Sequence, residues 1–198
     1  MEVDGYEVEP LSKERFDDFV AVLGAGGIGG CWCMYWIAPT SKAWGECTVG
    51  GSRARNRELF RGLVEAGPPP GLLAYEARVP VAWCRVMQRE RLPGLANSRH
   101  FKTDLDIDGV WALSCFVVKR SHRGRGLTTV LTKAAASFAR EQGARVLEVY
   151  PWDTEERKSD STLYTGVAST FERLGFTEVQ RRAPHKPMMR LSLADPET

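Results

Sequence analysis

The segment 117-VVKRSHRGRGLTTVLTKAAASFAREQG-143 decides the fold, because it joins a buried strand to a long helix through a basic turn. Residues 110–118 are apolar on both faces of an extended chain, which indicates a central strand of a sheet. From Leu127 onward the apolar residues follow the helical repeat, and Gly143 marks the end of the helix. This strand–turn–helix unit predicts where the functional site lies.

The basic turn, residues 119–126, has the features of an anion-binding site. The first N–H groups of a helix have no partners inside it, and together with the helix dipole they attract a negative group. Gly124 and Gly126 let the backbone approach a ligand closely. Arg123 and Arg125 supply donors that suit phosphate oxygens. The spacing matches neither GxGxxG nor GxxxxGKS/T, so it favours a diphosphate outside those fingerprints, with a basic surface turn as the alternative.

The composition limits the partners that the chain is expected to have. With 198 residues, 43% of them apolar and 26% charged, it suits one globular domain with a single core. A net charge of +2 gives no general attraction to DNA or to an anionic membrane, and aromatic residues are not interleaved with the basic ones. The pattern contains no secretory leader and no membrane-spanning run. We therefore expect a cytoplasmic protein with no nucleic-acid and no membrane partner.

The rest of the sequence predicts a single domain of the α/β (α+β) class, with helices before and after a mostly continuous mixed sheet. Apolar spacing favours helices at residues 11–23, 53–66 and 164–174. Alternating or apolar runs favour strands at residues 71–77, 80–87, 144–151 and 187–193, with a hairpin turn at Arg78-Val79. The charged residues 88–108, which include proline and glycine, favour a long loop.

The motif V-x-x-x-x-R-G-x-G, here Val118 to Gly126 between a strand and a long helix, is similar to the acyl-CoA site of the GNAT acetyltransferase superfamily. AREQGARVLEV at 139–149 and FERLGF at 171–176 agree with that family in order and distance. The resemblance covers about residues 72–182. It implies a GNAT-like fold, a central mixed and splayed β-sheet flanked by helices.

The resemblance also implies that the single domain, residues 1–198, has two functional parts. Residues 1–70 would form a helical, acceptor-side part, and residues 71–193 an acetyl-CoA-binding core. Acetyl-CoA would be the co-substrate, and its acetyl group would pass directly to an amine. Backbone N–H groups of the strand would polarise the thioester carbonyl near Phe116 to Val118. The residues implied for acetyl-CoA binding are Phe116, Val117, Val118, Arg123, Gly124, Arg125, Gly126, Leu127 and Thr128.

The sequence departs from the family pattern at the residue that protonates the departing thiolate. The family often has a tyrosine where Phe171 stands, and phenylalanine has no proton to give. We predict Tyr164 as the acid, two turns earlier on the same face of a helix, with Tyr150 in reserve. For the base that takes the proton of the amine, Glu148 and Asp153 are the candidates. The alternative is that such a strand carboxylate pairs with an arginine.

An aromatic cluster in the N-terminal part predicts the acceptor pocket. Trp32, Tyr35 and Trp83 are the predicted substrate-binding residues, with Trp36 and Trp44 in the same group. An aromatic plug under a long loop is the alternative. Together with the near-neutral charge, this cluster favours a compact amine as the acceptor.

The five cysteines are expected to be reduced, as in other cytoplasmic proteins. The pair in Cys31-Trp32-Cys33 lacks the spacing of zinc ligands, so we predict no metal. Cys115 lies in the strand beside the expected thioester, where it is either a small core residue or a reactive thiol.

The sequence thus predicts an acetyl-CoA-dependent N-acetyltransferase that acts on a small amine. Two alternatives stay open. One is a catalytically silent acyl-CoA-binding module, which Phe171 favours, and the other is a protein or peptide N-acetyltransferase. Dimers are common in the resembling family, so the resemblance also allows a homodimer.

Overall fold

A computed structural model of the protein describes residues 1–38, 52–154, 159 and 162–194. Its strands are β1 (Glu2–Val3), β2 (Tyr6–Pro10), β3 (Gly71–Glu76), β4 (Val79–Gln88), β5 (Val110–Val118), β6 (Val146–Val149), β7 (Thr177–Arg181) and β8 (Pro187–Ser192). They form one mixed sheet in the order β1-β2-β3-β4-β5-β6-β8-β7. β5 and β6 pair in parallel, and the other neighbouring strands pair antiparallel.

Helices cover both faces of this sheet. They are α1 (Phe16–Leu23), α2 (Gly27–Gly30), α3 (Ser52–Ala66), α4 (Pro93–Ala96), α5 (Leu127–Glu141) and α6 (Ala168–Glu172). The apolar side of α5 packs on one face, where Leu131 and Ala135 are fully buried. The opposite face is covered by α1 and α3, which contribute Phe19 and Phe60 to a cluster around Trp83. The predicted α/β single-domain class is confirmed.

Among the described helices, none has both the length and the apolar character needed to cross a membrane.

The sheet is splayed between β5 and β6, as the resemblance implies. The two strands pair only from Val110 to Leu113 on β5, opposite Val146 to Val149 on β6, although β5 continues to Val118. The pairing of β4 with β5 shifts register between Arg85 and Val86, with Ser114 as the extra residue on β5, and this irregularity bends the strand pair at the point of divergence. The end of β5 therefore has backbone groups that face an opening instead of another strand.

Three predicted elements differ from the structure. The hairpin turn lies at Ala77-Arg78, one residue earlier than predicted, and both residues have positive φ. The predicted loop 88–108 contains α4 and buries Leu92, Leu95 and Phe101, so apolar packing orders part of it.

The predicted helix 164–174 is the third difference, because α6 begins only at Ala168. Gly166 has φ +82°, and Val167 is extended and forms a bridge with Trp152, so neither residue can belong to a helix. Sequence reasoning also missed β1, β2 and β7, whose short runs of mixed polarity give a weak strand signal.

Candidate active site

A cavity of about 1120 Å³ opens where β5 leaves β6. Its wall is built from the end of β5, the basic turn, the first turn of α5, and residues of the segments 23–36 and 163–173. The strand–turn–helix unit that the sequence singles out therefore forms one side of this cavity. Most of the residues implied for acetyl-CoA binding lie in this wall.

The basic turn has the backbone geometry of an anion site. Gly124 and Gly126 have φ of +75° and +76°, the left-handed region that residues with a Cβ avoid. No side chain caps α5, and the first helical bond is donated by Val130 N–H to Gly126 O at 3.1 Å. The N–H groups of residues 127–129 consequently have no acceptor inside the helix. All three of these residues, Leu127, Thr128 and Thr129, line the cavity.

The two arginines of the turn have different environments. Arg123 lines the cavity, and its Nε donates to the carbonyl of Val118 at 3.2 Å. Arg125 is ion-paired with Glu76 at 2.5 Å, and its guanidinium holds the pKa of that carboxyl below the usual range. His122 contacts the same carboxylate at 3.1 Å. The Arg125 side chain does not line the cavity, which corrects its predicted contact with the co-substrate through the guanidinium.

The end of β5 offers one backbone donor to the cavity. Within the predicted stretch Phe116 to Val118, the N–H of Phe116 already donates to the carbonyl of Tyr164 at 2.6 Å. Lys119 N–H donates to Val81 O on β4 at 2.9 Å. Because N–H directions alternate along a strand, the N–H of Val118 points away from β4, on the side where its carbonyl meets Arg123. Val118 is thus the strand donor that remains.

Tyr164 lies in the cavity wall, but not where a helix would place it. The residue lies in the turn before α6, where its carbonyl accepts a hydrogen bond from the N–H of Phe116. This position corrects the predicted helical geometry. Its ring is 6.4 Å from that of Tyr35, in an edge-to-face arrangement. Burial raises the pKa of Tyr164 well above the ordinary value, so the phenol keeps its proton. Its hydroxyl forms no hydrogen bond within the part of the chain that the structure describes, which leaves it available to a ligand.

Glu148 lies in the core and not in the cavity wall, which corrects its prediction as the base. Arg89 Nε donates to Oε1 at 2.6 Å and Arg190 Nε to Oε2 at 2.8 Å, and Glu148 is 0% exposed. The hydroxyl of Tyr150 also donates to Oε1, so this reserve acid is buried and occupied. The carboxylate is therefore a buried counterion for two guanidinium groups, with no path to a substrate proton.

Asp153 is not a cavity residue either, because it is ion-paired with Arg181 Nη1 at 2.6 Å on the surface. Among the residues that the structure describes, no aspartate or glutamate lines the cavity, whereas Arg85, Arg123 and Arg173 do. The described wall therefore has a cationic character, and a base of the predicted carboxylate type is missing from it.

The predicted aromatic residues divide into two groups, and the first lines the cavity. Tyr35 is 41% exposed and lies in the wall, and Trp36 lies beside it, with its indole N–H donating to Ser114 O at 3.3 Å. Trp44 lies outside the described residues.

The second group is buried in the core, which corrects the prediction that Trp32 and Trp83 contact the acceptor. Trp83 is fully buried, packs edge-on against Phe19 at 4.9 Å, and donates its indole N–H to Cys33 Sγ at 3.1 Å. Trp32 is 3% exposed and lies 6.3 Å from the same phenylalanine. Both indoles belong to the buried cluster against which the residues just before Tyr35 pack.

Sequence reasoning missed the group formed by Arg85, Cys33 and Cys115, which all line the cavity. Arg85 is 0% exposed and lies on β4 among apolar neighbours. An arginine inside the run PVAWCRVM is the signal that could have revealed it. Within the described ranges, no group of three or more histidine, cysteine, aspartate or glutamate side chains could hold a metal ion.

The comparison with family models gives one match. The model described as "Acetyltransferase (GNAT) family" matches residues 36–159, which is more than half of the chain. The comparison with curated proteins gives no match.

Solved structures share the fold at low sequence identity. The PaiA N-acetyltransferase of Thermoplasma acidophilum, in complex with coenzyme A, is 12% identical, with 94% of this chain and 98% of that chain covered and a TM-score of 0.53. The yncA protein of Salmonella typhimurium, with its cofactor acetyl-CoA, is 16% identical, with 98% of each chain covered and a TM-score of 0.53. An N-acetyltransferase from Staphylococcus aureus Mu50 is 11% identical, with 96% and 99% covered and a TM-score of 0.56.

Proposed function

This chain belongs to the GNAT acetyltransferase family and is an N-acetyltransferase, and from that premise we propose that acetyl-CoA is its co-substrate and a small amine its acceptor. The observation that carries the proposal is the continuity of one cavity from the uncapped start of α5 to the open end of β5. Its volume of about 1120 Å³ suits a long ligand together with a compact second one.

The diphosphate of the co-substrate sits at the basic turn in this proposal. The N–H groups of residues 127–129 and the positive end of α5 take the phosphate oxygens. Gly124 and Gly126 keep the approach open, because the backbone there carries no side chain. Arg123, already in the wall, adds a charged donor.

The transfer itself needs a polarised carbonyl and a proton for the leaving thiolate. The pantetheine arm runs along β5, where the N–H of Val118 is the available donor for its carbonyl groups or for the thioester. The neutral amine attacks the thioester carbon, and the tetrahedral intermediate expels the CoA thiolate. Tyr164 gives that thiolate its proton, and the resulting phenolate takes up the proton that the nitrogen loses as the amide forms. Tyr35 and Trp36 form the apolar side of the acceptor pocket.

Thermal unfolding tests the co-substrate directly, with acetyl-CoA, free CoA, dephospho-CoA and NAD measured in parallel. A ligand at 100 times its Kd adds about 2.7 kcal/mol of stability, or roughly 5–10 °C in Tm for a chain of this size. We expect that shift with acetyl-CoA and CoA, a smaller one with dephospho-CoA, and none with NAD. If no ligand moves Tm, the basic turn is a surface turn and the proposal fails.

The two arginines of the turn provide a sharper test of the same site. Arg123→Ala should raise the Kd of acetyl-CoA about tenfold or more, because a charge-assisted hydrogen bond is lost. Arg125→Ala should change it less than about threefold, because that exposed guanidinium is already engaged by Glu76. Isothermal titration calorimetry measures both, and Arg123→Lys, which keeps the charge, should fall between them. Equal losses for the two alanine variants contradict this assignment.

The silent-module alternative rests on Phe171, which is fully buried against Phe116 and Phe176. Its place in the core explains why it carries no hydroxyl, and the presence of Tyr164 in the cavity favours an active enzyme. A screen of small amines, with one peptide bearing a free N-terminus, identifies the acceptor. Turnover with the peptide alone would replace the small-amine proposal with a peptide acceptor.

A further inference from the structure

A buried cation without a carboxylate partner in the described part of the chain lines the cavity. Arg85 is 0% exposed, and its Nε and Nη2 have no hydrogen-bond partner in the described part of the chain. Its Nη1 contacts Met87 Sδ at 3.2 Å, and the guanidinium lies 5.3 Å above the ring of Phe60. Neither contact supplies a negative charge. Burial lowers the pKa of Arg85, yet a guanidinium stays charged in proteins, so a nearby anion is needed.

Thiols are the ionisable groups that face this guanidinium. Cys33 and Cys115 have their Sγ atoms 3.8 Å apart, and both line the cavity with Arg85. Cys33 Sγ also accepts the indole N–H of Trp83 at 3.1 Å. A sulfur that accepts an indole N–H and interacts electrostatically with a guanidinium is better satisfied as a thiolate than as a thiol. The indole N–H and the electrostatic effect of the nearby guanidinium both favour Cys33 as the sulfur of the pair that carries the negative charge.

The titration of the pair agrees with this geometry. The hydrogen bond with Cys115 lowers the pKa of Cys33 to about 7 against the opposing effect of burial, and Arg85 and Trp83 add to the lowering. The same hydrogen bond, with burial, raises the pKa of Cys115. Cys33 is therefore the more acidic of the two sulfurs, and the proton that they share resides on Cys115.

The other described cysteines near Cys33 have the opposite character. Burial raises the pKa of Cys31 to about 11. Cys84, on the neighbouring strand, is fully buried under α5, does not line the cavity, and has its pKa raised by burial. All four described cysteines are free thiols, so the pair is present in its reduced form.

We propose that Cys33 and Cys115 are a redox-active pair in the cavity wall, which hydroperoxides convert to a disulfide. The Cys33 thiolate attacks one peroxide oxygen, the O–O bond breaks, and the departing oxygen leaves as water or an alcohol after taking a proton, with Cys33 as the sulfenic acid. The Cys115 sulfur then attacks the Cys33 sulfur, the S–OH bond breaks, and the hydroxide leaves as water with the thiol proton of Cys115. Two thiols thereby supply the two electrons that reduce one peroxide.

The disulfide alters the same end of the cavity that carries Tyr164 and Tyr35. Forming it draws the two sulfurs from 3.8 Å to a bond of about 2.05 Å and removes the thiolate that pairs with Arg85. If the proposed function holds, the oxidised enzyme should transfer acetyl groups more slowly while it still binds acetyl-CoA at the basic turn. The disulfide itself is measured without any acetyl transfer, so the two proposals fail separately.

Intact-mass spectrometry and peptide mapping test the pair with hydrogen peroxide as the probe. The background is Cys31→Ala, because Cys31 and Cys33 lie on one tryptic peptide. We expect loss of about 2 Da and one peptide linking Cys33 to Cys115. Adding Cys115→Ala should stop the reaction at the sulfenic acid, about 16 Da heavier, and adding Cys33→Ala should abolish it. Cys84→Ala should behave as the parent.

The rate of the first step separates a paired thiolate from an ordinary buried thiol. It should be half-maximal near pH 7, with Arg85, Cys31, Cys84 and Cys115 as the titratable groups around Cys33. Arg85→Met should slow it at least about tenfold at that pH, whereas Arg85→Lys, which keeps the charge, should slow it less. Circular dichroism verifies that both variants fold. Reaction of Cys84 as fast as Cys33, or a link from Cys33 to Cys47 instead of Cys115, overturns the proposal.

Discussion

Replacing Tyr164 by phenylalanine should lower kcat by about 100-fold or more and leave the Kd of acetyl-CoA within about twofold. General acid catalysis by a positioned side chain contributes roughly 10²–10⁴-fold, and Tyr164 is the phenol of the cavity wall whose hydroxyl has no described protein partner. The substitution removes only that oxygen, so the ring, the packing and the backbone bond to Phe116 are kept. Steady-state kinetics with a saturating amine, paired with calorimetric titration of acetyl-CoA, separates the two effects.

The matched controls are the neighbouring tyrosines. Tyr35→Phe should alter the KM of the amine more than kcat, because this ring lines the acceptor side. The pH profile supplies an independent check. Since burial raises the pKa of Tyr164, kcat of the parent should not fall through loss of that proton up to about pH 10. An unchanged kcat in Tyr164→Phe sinks the assignment, because no other described phenol in the wall is as buried.

The motif around the basic turn could be predicted from sequence because its chemistry is local. The left-handed glycines, the uncapped helix and the apolar strand lie next to one another in the chain, so their spacing predicts the strand–turn–helix geometry that the structure has. Tyr164 was harder to place, since its position depends on a bond to Phe116 made across the splay of the sheet. The glycine at 166, with φ +82°, is the local signal that the predicted helix could not begin at Tyr164.

The wrong predictions for individual site residues have a common physical origin. A strand pattern predicts that a side chain is buried, but not which residues it contacts. Trp83 and Glu148 both lie on central strands, and alternation cannot tell a pocket face from a core face there. The arginines that meet Glu148 come from the segment after β4 and from β8, both remote in sequence. Arg85 shows the opposite problem. Its charge inside an apolar strand indicates that a partner exists, but the local sequence does not predict which residue that partner is.

Replacing Glu148 by glutamine should lower the free energy of unfolding by about 3–5 kcal/mol. The change keeps the shape of the side chain but removes the anion between Arg89 and Arg190, and a broken buried ion pair leaves its cations uncompensated. For a chain of this size that loss corresponds to a fall in Tm of roughly 6–20 °C. Thermal unfolding followed by circular dichroism measures Tm, and urea unfolding followed in the same way measures the free energy of unfolding.

The control is Glu178→Gln, which breaks the exposed pair with Arg181 and should cost less than about 1 kcal/mol. The fraction of Glu148→Gln that stays folded should bind acetyl-CoA with the parent Kd, because the basic turn is untouched. It should also retain a kcat within about threefold of the parent once corrected for folded protein, since a buried counterion takes no proton from the substrate. A stable variant with kcat lowered by orders of magnitude would restore Glu148 as the base and remove its structural role.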